Sequence, residues 1–343
     1  MCVIPSDLYN GNVELYMEEK SKMPIKTKVS IQGNKLIGAH SLSKQKSNST
    51  VTLWLMCAIP LLWLIIFKYA PMVGLIIAFK DYRYNLGIFG SEWVGFENFK
   101  FLVTSDQFLL ITKNTLVMNF IFIVTGTVAA ILLAILLFNL KRARTIKVFQ
   151  TMAITPHFVS WVVASTVLYG FLHHQNGIVN RFIESIGAMP VKWYSEPKYW
   201  PIILTVCNIW KNVGMDSIMY YAALVGIDSA YFEAAKVDGA GPVRITWNII
   251  LPCLIPLMSI LIVLKIGTIF NADFGLFYQC TRNSALLYPT TDVVDTYIFR
   301  ALRENGDMGM SSATGLLQSI VGFTLVMITN WASKKIDSDN GLF

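Results

Sequence analysis

Charged residues are scarce in this chain of 343 residues: aspartate, glutamate, lysine and arginine make up 14% of it, whereas hydrophobic residues make up 54%. Its mean hydropathy is +0.52. A soluble domain of this length would carry more charge, about 25%. The apolar residues gather in runs of about twenty, the length at which a helix spans a bilayer core of about 30 Å. The composition excludes an ordinary soluble domain and predicts a polytopic membrane protein with one membrane domain.

The residue patterns of catalytic, nucleotide-binding and metal sites are missing as well. The five cysteines are scattered and include no CxxC pair, so neither a disulfide framework nor a zinc site is indicated. There is no GxxxxGKS or GxxxxGKT loop and no HExxH. His157, His173 and His174 have no catalytic spacing with carboxylates. We therefore predict that this chain is no enzyme and has no catalytic residue, no metal site and no cofactor of its own.

Hydropathy divides the chain into tails and membrane segments. The polar residues 1–50 are predicted to be a largely disordered tail, residues 51–335 the membrane domain, and residues 336–343 a short second tail. A long polar loop is predicted at 271–311. Six apolar segments within the domain are long enough to cross a bilayer, at about 52–79, 115–138, 148–172, 199–225, 249–270 and 312–331.

Basic residues indicate which side of the membrane each loop faces. The N-terminal tail is rich in lysine, and Lys334 and Lys335 follow the last segment. The loop between the second and third segments carries Lys141, Arg142, Arg144 and Lys147. With six crossings these regions share one side with loop 226–248, and the excess of Lys and Arg makes that side cytoplasmic. Because the net charge of +7 follows this topology, no nucleic-acid partner is predicted.

The most informative stretch is Asp228 to Pro252, called the elbow below. Asp228 or the serine after it can cap a helix start. The glycines at 239 and 241 break that helix, and Pro242 suits the first turn of another. The sequence therefore predicts a helix–turn–helix with an alanine face at the membrane surface, where small side chains let another protein approach closely. Composition alone favours an ordinary loop.

The spacing within the elbow resembles a known motif. Glu233-Ala234-Ala235, Gly239, Ile249 and Leu251-Pro252 are similar to the EAA motif of permease subunits in binding-protein-dependent ABC importers, and every usual position is present. Four further stretches resemble the sugar-importing branch, the lipo-oligosaccharide and polysaccharide type related to maltose permeases. They lie at 67–82, 93–99, 271–274 and 292–297. The resemblance covers residues 53 to 335.

The resemblance implies a fold, a site and a set of partners. The fold is the all-α type I ABC importer permease, with six transmembrane helices and a cytoplasmic coupling helix that docks on an ATPase subunit. A second, homologous permease, two ATPase subunits that hold ATP and magnesium, and an extracellular sugar-binding protein complete the implied machine in a prokaryotic cell membrane. The implied ATPase-coupling residues are Glu233, Ala234, Ala235, Asp238, Gly239, Ala240 and Gly241.

Placing a polar side chain in the membrane costs free energy, so polar residues inside apolar segments mark either a pathway or contacts between helices. Asn208, Lys211 and Asn212 share one helix face. Lys211 and Asp216, five residues apart, do not face each other squarely. The candidate pathway residues, suited to an oligosaccharide, are Trp161, Asn208, Lys211, Asn212, Asn271 and Asp273. The open alternatives are interhelical contacts, another solute carried by the same machine, or a stand-alone secondary carrier.

Overall fold

The computed structural model describes residues 48–304 and 306–336. The predicted tails therefore lie almost wholly outside the described residues. The chain divides into two compact units, one ending at Ile65 and the other starting at Ile66. Helix α1 (Asn48–Leu64) is the described helix of the first unit, and the remaining elements belong to the second.

Helices make up most of the described chain. The long helices of the second unit are α4 (Asp106–Phe138), α8 (Trp200–Val225), α11 (Leu251–Gly267) and α14 (Met308–Ile336). The shorter helices are α2 (Gly87–Gly90), α3 (Glu97–Thr104), α5 (Ala143–Ile154), α6 (Trp161–Leu172), α7 (Ile178–Ser185), α9 (Ser229–Val237), α10 (Pro242–Ile245), α12 (Tyr288–Thr291) and α13 (Val294–Arg303). Turns of 3-10 or π helix lie at Ile65–Tyr69, Ala70–Phe79, Thr155–Phe158, Trp193–Ser195, Pro197–Tyr199, Thr246–Ile250, Gly275–Cys280 and Ala285–Leu287. Strands β1 (Lys80–Asp81) and β2 (Glu92–Trp93) pair antiparallel, with Lys80 opposite Trp93.

Four helical segments within the described residues are long and apolar enough to cross a bilayer. They are Trp54–Phe79, Asp106–Phe138, Pro242–Gly267 and Met308–Trp331. The pair Ala143–Phe158 and Trp161–Leu172 makes a fifth if it is counted as one bent segment. Helix α8 has 26 residues but is not in this set; it carries Asn208, Lys211, Asn212 and Asp216. A multi-pass membrane domain is therefore observed, whereas a count of six crossings stays a prediction.

Three segments differ from their predicted form. The third predicted span is two helices, α5 and α6, that meet at a bend of 97°. Pro156 lies in the 3-10 turn before the bend, and the Ser160 side chain accepts a hydrogen bond from the amide of Val163 at the start of α6. The second span begins at Asp106 rather than near 115. The predicted polar loop 271–311 is instead largely helical and carries many buried residues.

The core lies where α4 packs along α8. On α4, Gly126, Ala130 and Ala134 recur every four residues and are buried, so they form one face of small side chains. Such a face lets two membrane helices approach closely and gain dispersion contacts. Tyr220 and Leu224 of α8 are buried in the same cluster as the two alanines. This packing sets the rotation of α8 about its axis, and with it the direction of its polar residues.

Candidate functional site

The elbow is the first candidate site, and its geometry agrees with the predicted helix–turn–helix. Asp228 caps α9 by accepting a hydrogen bond from the amide of Ala230 at 3.0 Å. The chain turns at Gly239, which has a φ of +74°. Pro242 then begins α10, which continues without a break into α11.

One side of the elbow is anchored and the other is free. The ring of Phe232 lies 5.5 Å from that of Phe138 at the end of α4, which ties α9 to the membrane domain. Val237 is 87% exposed. The predicted coupling residues are mostly exposed as well, with two that are half-buried: Glu233, Ala234, Ala235, Asp238, Gly239, Ala240 and Gly241. The elbow thus offers an accessible surface of small and acidic side chains at the end of the membrane helices.

A cavity of about 280 Å³ between α4, α8 and α11 is the second candidate site. Four of the predicted pathway residues line it, namely Asn208, Asn212, Asn271 and Asp273. The other polar residues of its wall are Asn119, Asp216, Lys265 and Thr268. The asparagine side chain both donates and accepts hydrogen bonds, so the wall can bind a hydroxyl group as its donor or as its acceptor.

Hydrogen bonds orient the amides of this wall. The Asn212 side-chain amide donates to the side-chain oxygen of Asn208 at 2.9 Å. The Asn119 amide donates to the carbonyl oxygens of Ile269 at 2.7 Å and Asn271 at 3.1 Å. Asn119 of α4 therefore binds the backbone that follows the C-terminal end of α11. The Asn208 and Asn212 pair keeps donor and acceptor positions for a solute.

Trp161 and Lys211 hold the helix bend instead of lining this cavity. The Lys211 ammonium donates to the carbonyl oxygens of His157, at 3.1 Å, and of Val159. It also lies 4.9 Å from the centre of the Trp161 ring, a cation–π distance. The Trp161 indole N–H donates to a carboxylate oxygen of Asp273 at 2.6 Å. A helix end leaves carbonyls unpaired, and Lys211 supplies the missing donors.

Asp216 pairs with Lys265 rather than with Lys211. The Lys265 ammonium nitrogen lies 2.7 Å from a carboxylate oxygen of Asp216, so α8 and α11 are joined across the cavity. Sequence reasoning singled out neither residue for the pathway, and it missed Asn119. Asn119, Asp216 and Lys265 each lie within a predicted span, and a polar residue in an apolar segment was the available signal. The ion pair between Asp216 and Lys265 depends on how two helices far apart in the chain pack together.

Buried polar contacts order the segment that follows α11. Arg300 lies 2.6 Å from Asp292, with both side chains nearly inaccessible, and its guanidinium lies over the Tyr288 ring. Asp295 accepts hydrogen bonds from the amide of Ala272 at 2.7 Å and from the Gln318 side chain at 3.2 Å. Burial raises the pKa of Asp295, and these two hydrogen bonds oppose the rise. The contacts hold Asn271 and Asp273 at the cavity.

Apolar spanning helices, a polar cavity among them and an exposed elbow at their end are the features of a membrane transport subunit. Residues 126–338 match the model of the binding-protein-dependent transport system inner membrane component, and the chain belongs to this family of ABC importer permeases. The predicted family and the all-α type I permease fold are confirmed, whereas the count of six transmembrane helices and the role of the coupling helix stay predictions.

Relatives and a solved structure agree with this assignment. Protein LplB of Bacillus subtilis (strain 168) is 35% identical, over 85% of this chain and 91% of LplB. The polygalacturonan/rhamnogalacturonan transport system permease protein YteP of the same organism is 34% identical, over 84% of this chain and 89% of YteP. The crystal structure of a bacterial ABC transporter involved in the import of the acidic polysaccharide alginate contains a similar chain. It matches with a TM-score of 0.77 and 32% identity, over 84% of this chain and 97% of that chain.

Proposed function

We propose that this chain and a second, homologous permease form the membrane pathway of an ATP-driven importer for an oligosaccharide or polysaccharide. The observation that carries the proposal is the amide-rich cavity of about 280 Å³ between α4, α8 and α11. Asn208, Asn212 and Asn271 offer donors and acceptors to the hydroxyl groups of a sugar, and Phe122 offers an apolar surface to its C–H faces. The relatives' names, which mention polysaccharides, support the same cargo.

In this proposal the elbow transmits force. ATPase subunits dock on the exposed side of α9 and on the turn at Gly239, where small side chains allow close approach. ATP and magnesium are held by those two subunits, and this chain supplies no cofactor. The seven coupling residues named above from Glu233 to Gly241 form the contact. Closure of the ATPase pair moves the elbow, and the Phe138–Phe232 contact and the continuous α10–α11 helix pass the motion to the cavity walls.

The same proposal sets the orientation in the cytoplasmic membrane of a prokaryote. The elbow, the basic loop 141–147 and both termini face the cytoplasm. The segments at 173–199 and 271–307 face outward, because α8 and α11 connect them to the elbow from the other end. An extracellular sugar-binding protein delivers the cargo to those outward segments.

Transport by the reconstituted machine tests this function. The chain is co-expressed with a second permease and two ATPase subunits from the same organism and placed in proteoliposomes with the binding protein. We expect ATP-dependent uptake of labelled oligosaccharide and no uptake by this chain alone. Uptake of a non-sugar solute in preference to the saccharides, or robust flux through the single chain, would refute the proposal.

The coupling role has its own variant and control. Glu233→Lys reverses a charge on the exposed side of α9 and should separate ATP hydrolysis from uptake, or prevent ATPase docking, while the helices stay inserted. Glu184→Lys makes the same charge change on the exposed surface of α7 and should leave the coupling unchanged.

A cysteine at Ala240 should react with a membrane-impermeant thiol reagent only from the cytoplasmic side. Labelling from outside intact cells would contradict the orientation.

A further inference from the structure

A second cavity, of about 180 Å³, lies at the end of α6 beside the segment 173–195. It is separate in its lining from the amide-rich cavity and lies at the other end of α8 from the elbow. Its wall combines aromatic and basic side chains, among them Tyr169, His173, His174, Lys192, Trp193 and Tyr194. None of the described residues that line it is acidic.

One buried asparagine builds this cleft. Asn180 is 1% exposed, and its amide donates to the carbonyl oxygens of His174 and Val191, each at 2.9 Å. Its side-chain oxygen accepts hydrogen bonds from the Val191 amide at 3.1 Å and from the Trp193 indole N–H at 2.9 Å. A single side chain thus fixes the chain on both sides of α7 and the orientation of the Trp193 ring. The shape of the cleft is therefore set by buried hydrogen bonds.

One basic side chain, Lys192, lines the cleft, and a second, Arg282, lies against a residue of its wall. The Arg282 guanidinium lies 4.1 Å from the centre of the Tyr169 ring, in a stacked position. Arg282 has a φ of +54°, a left-handed conformation held by the hydrogen bond from its own amide to the carbonyl of Gln279 at 3.1 Å. Lys192 adds an exposed ammonium at the rim. The next acidic residue along the chain, Glu196, is paired with Lys198 at 3.3 Å.

Two further polar groups of the cleft, those of His173 and Tyr194, act as hydrogen-bond donors. The Nδ1 atom of His173 accepts hydrogen bonds from the amides of Gln175 at 3.3 Å and Asn176 at 3.2 Å, so its Nε2 carries the hydrogen. Burial raises the pKa of Tyr194, so its phenol stays protonated and donates to the carbonyl of Cys280 at 3.2 Å. Neither group offsets the positive charge of Lys192 and Arg282.

We infer that this cleft is a binding subsite for a carboxylated sugar unit, a uronate, on the importer's outward end. Arginine and lysine bind a carboxylate through charged hydrogen bonds, and the Trp193 ring suits the C–H face of a sugar ring. The inference rests on the proposed function and narrows the cargo from saccharides in general to acidic ones. The described lining of the amide-rich cavity offers no unpaired basic group to a carboxylate, because Lys265 pairs with Asp216 and Asp273 is acidic.

Binding of matched saccharides tests the inference. The full-length chain, purified with its partner subunits in nanodiscs, is titrated with trigalacturonate and with maltotriose, a neutral saccharide of the same length. We expect tighter binding of trigalacturonate, with a dissociation constant that Lys192→Met and Arg282→Met each raise about tenfold. Maltotriose binding should change less than about twofold. Arg282→Lys should retain part of the preference, because it keeps the charge and loses the planar fork.

Matched controls separate the possible failures. Arg181→Met removes an exposed basic side chain of the same segment that does not line the cleft, and it should leave both dissociation constants unchanged. Equal binding of the two saccharides, or variants that bind trigalacturonate as the wild type does, would overturn the inference, and ATP-driven maltotriose uptake would then leave the proposed function standing. A loss of binding-protein docking that is independent of cargo would instead assign the cleft to an acidic patch on that partner, which also overturns it. Failure of the wild-type complex to take up any saccharide would reject the proposed function itself.

Discussion

Lys265 of α11 and Asp216 of α8 form an ion pair across the wall of the amide-rich cavity, with 2.7 Å between the ammonium nitrogen and the carboxylate oxygen. The two side chains are 32% and 29% exposed, so the pair is neither free in solvent nor sealed in the core. Removing one partner from a buried pair costs about 3–5 kcal/mol, whereas an exposed pair contributes about 0–1 kcal/mol. This pair should lie between these limits.

Lys265→Met leaves the Asp216 carboxylate unpaired within the membrane domain. We expect the free energy of unfolding in detergent to fall by about 1–3 kcal/mol. The double variant Asp216→Asn/Lys265→Gln, which removes both charges and retains a hydrogen bond, should recover most of that loss. A double variant as unstable as the sum of the two single ones would show that the side chains act independently.

Gly214 of α8 packs directly against the backbone of Ala153 in α5. A methyl group there would overlap the backbone carbonyl of Ala153, which cannot move as a side chain would. Gly214→Ala should therefore lower the free energy of unfolding by about 1–3 kcal/mol. Gly170→Ala is the matched control: no heavy atom among the described residues, outside its own helix and chain neighbours, lies within 4 Å of the added methyl. That variant should be neutral or stabilising by up to about 1 kcal/mol, because alanine favours helix. Thermal unfolding of the two variants in detergent measures the difference.

Gly239 and Gly241 of the elbow have opposite backbone requirements. Gly239 has a φ of +74°, whereas Gly241 has a φ of −74°. Gly239→Ala should cost about 1–2 kcal/mol and reduce uptake, because it strains the turn. Gly241→Ala should change the free energy of unfolding by less than about 0.5 kcal/mol. Equal losses of stability would contradict the turn geometry. Uptake and unfolding measured on the same preparations separate strain from a lost protein contact.

Asp295 should make stability depend on pH. Because burial raises its pKa in the native state, the folded protein binds this proton more tightly than the unfolded chain does. Its contribution is most favourable below the ordinary carboxyl pKa of about 4 and is lost as pH rises through the native value. Asp295→Asn keeps an acceptor for the Ala272 amide and should flatten that fall in melting temperature. Asp81→Asn, at an exposed carboxylate, should keep the wild-type profile. An unchanged profile in Asp295→Asn would assign the dependence to another group.

Local signals in the sequence predicted the elbow well. The Asp228 cap, the left-handed turn at Gly239 and the start at Pro242 each depend on a few adjacent residues, and all three occur in the structure. The bend before α6 also had a local signal, Pro156, but a proline in a membrane helix is compatible with a straight span, a kink or a break. Which of these occurs depends on Lys211, more than fifty residues away, whose ammonium binds the carbonyls at the bend.

Long-range packing decided the sites. Lys265 reaches Asp216 across 49 residues of chain, and Trp161 reaches Asp273 across 112. Arg282, which lies over the Tyr169 ring at the cleft near Asn180, comes from a segment that hydropathy marks only as polar. The sequence did identify most of the polar residues concerned, because a polar side chain in an apolar run stands out. The sequence did not indicate which of these residues contact one another.

By itself, the sequence determined that this chain is a helical membrane protein, that it carries the elbow motif and that it belongs to the importer family. Those properties follow from the partition of apolar runs into lipid and from backbone preferences within a few residues. Only the tertiary structure decided which polar residues share a cavity and which residues hold the bend. The reason is rotational: a helix can turn its polar face in any direction until close packing, here of the small face of α4 against α8, sets that direction.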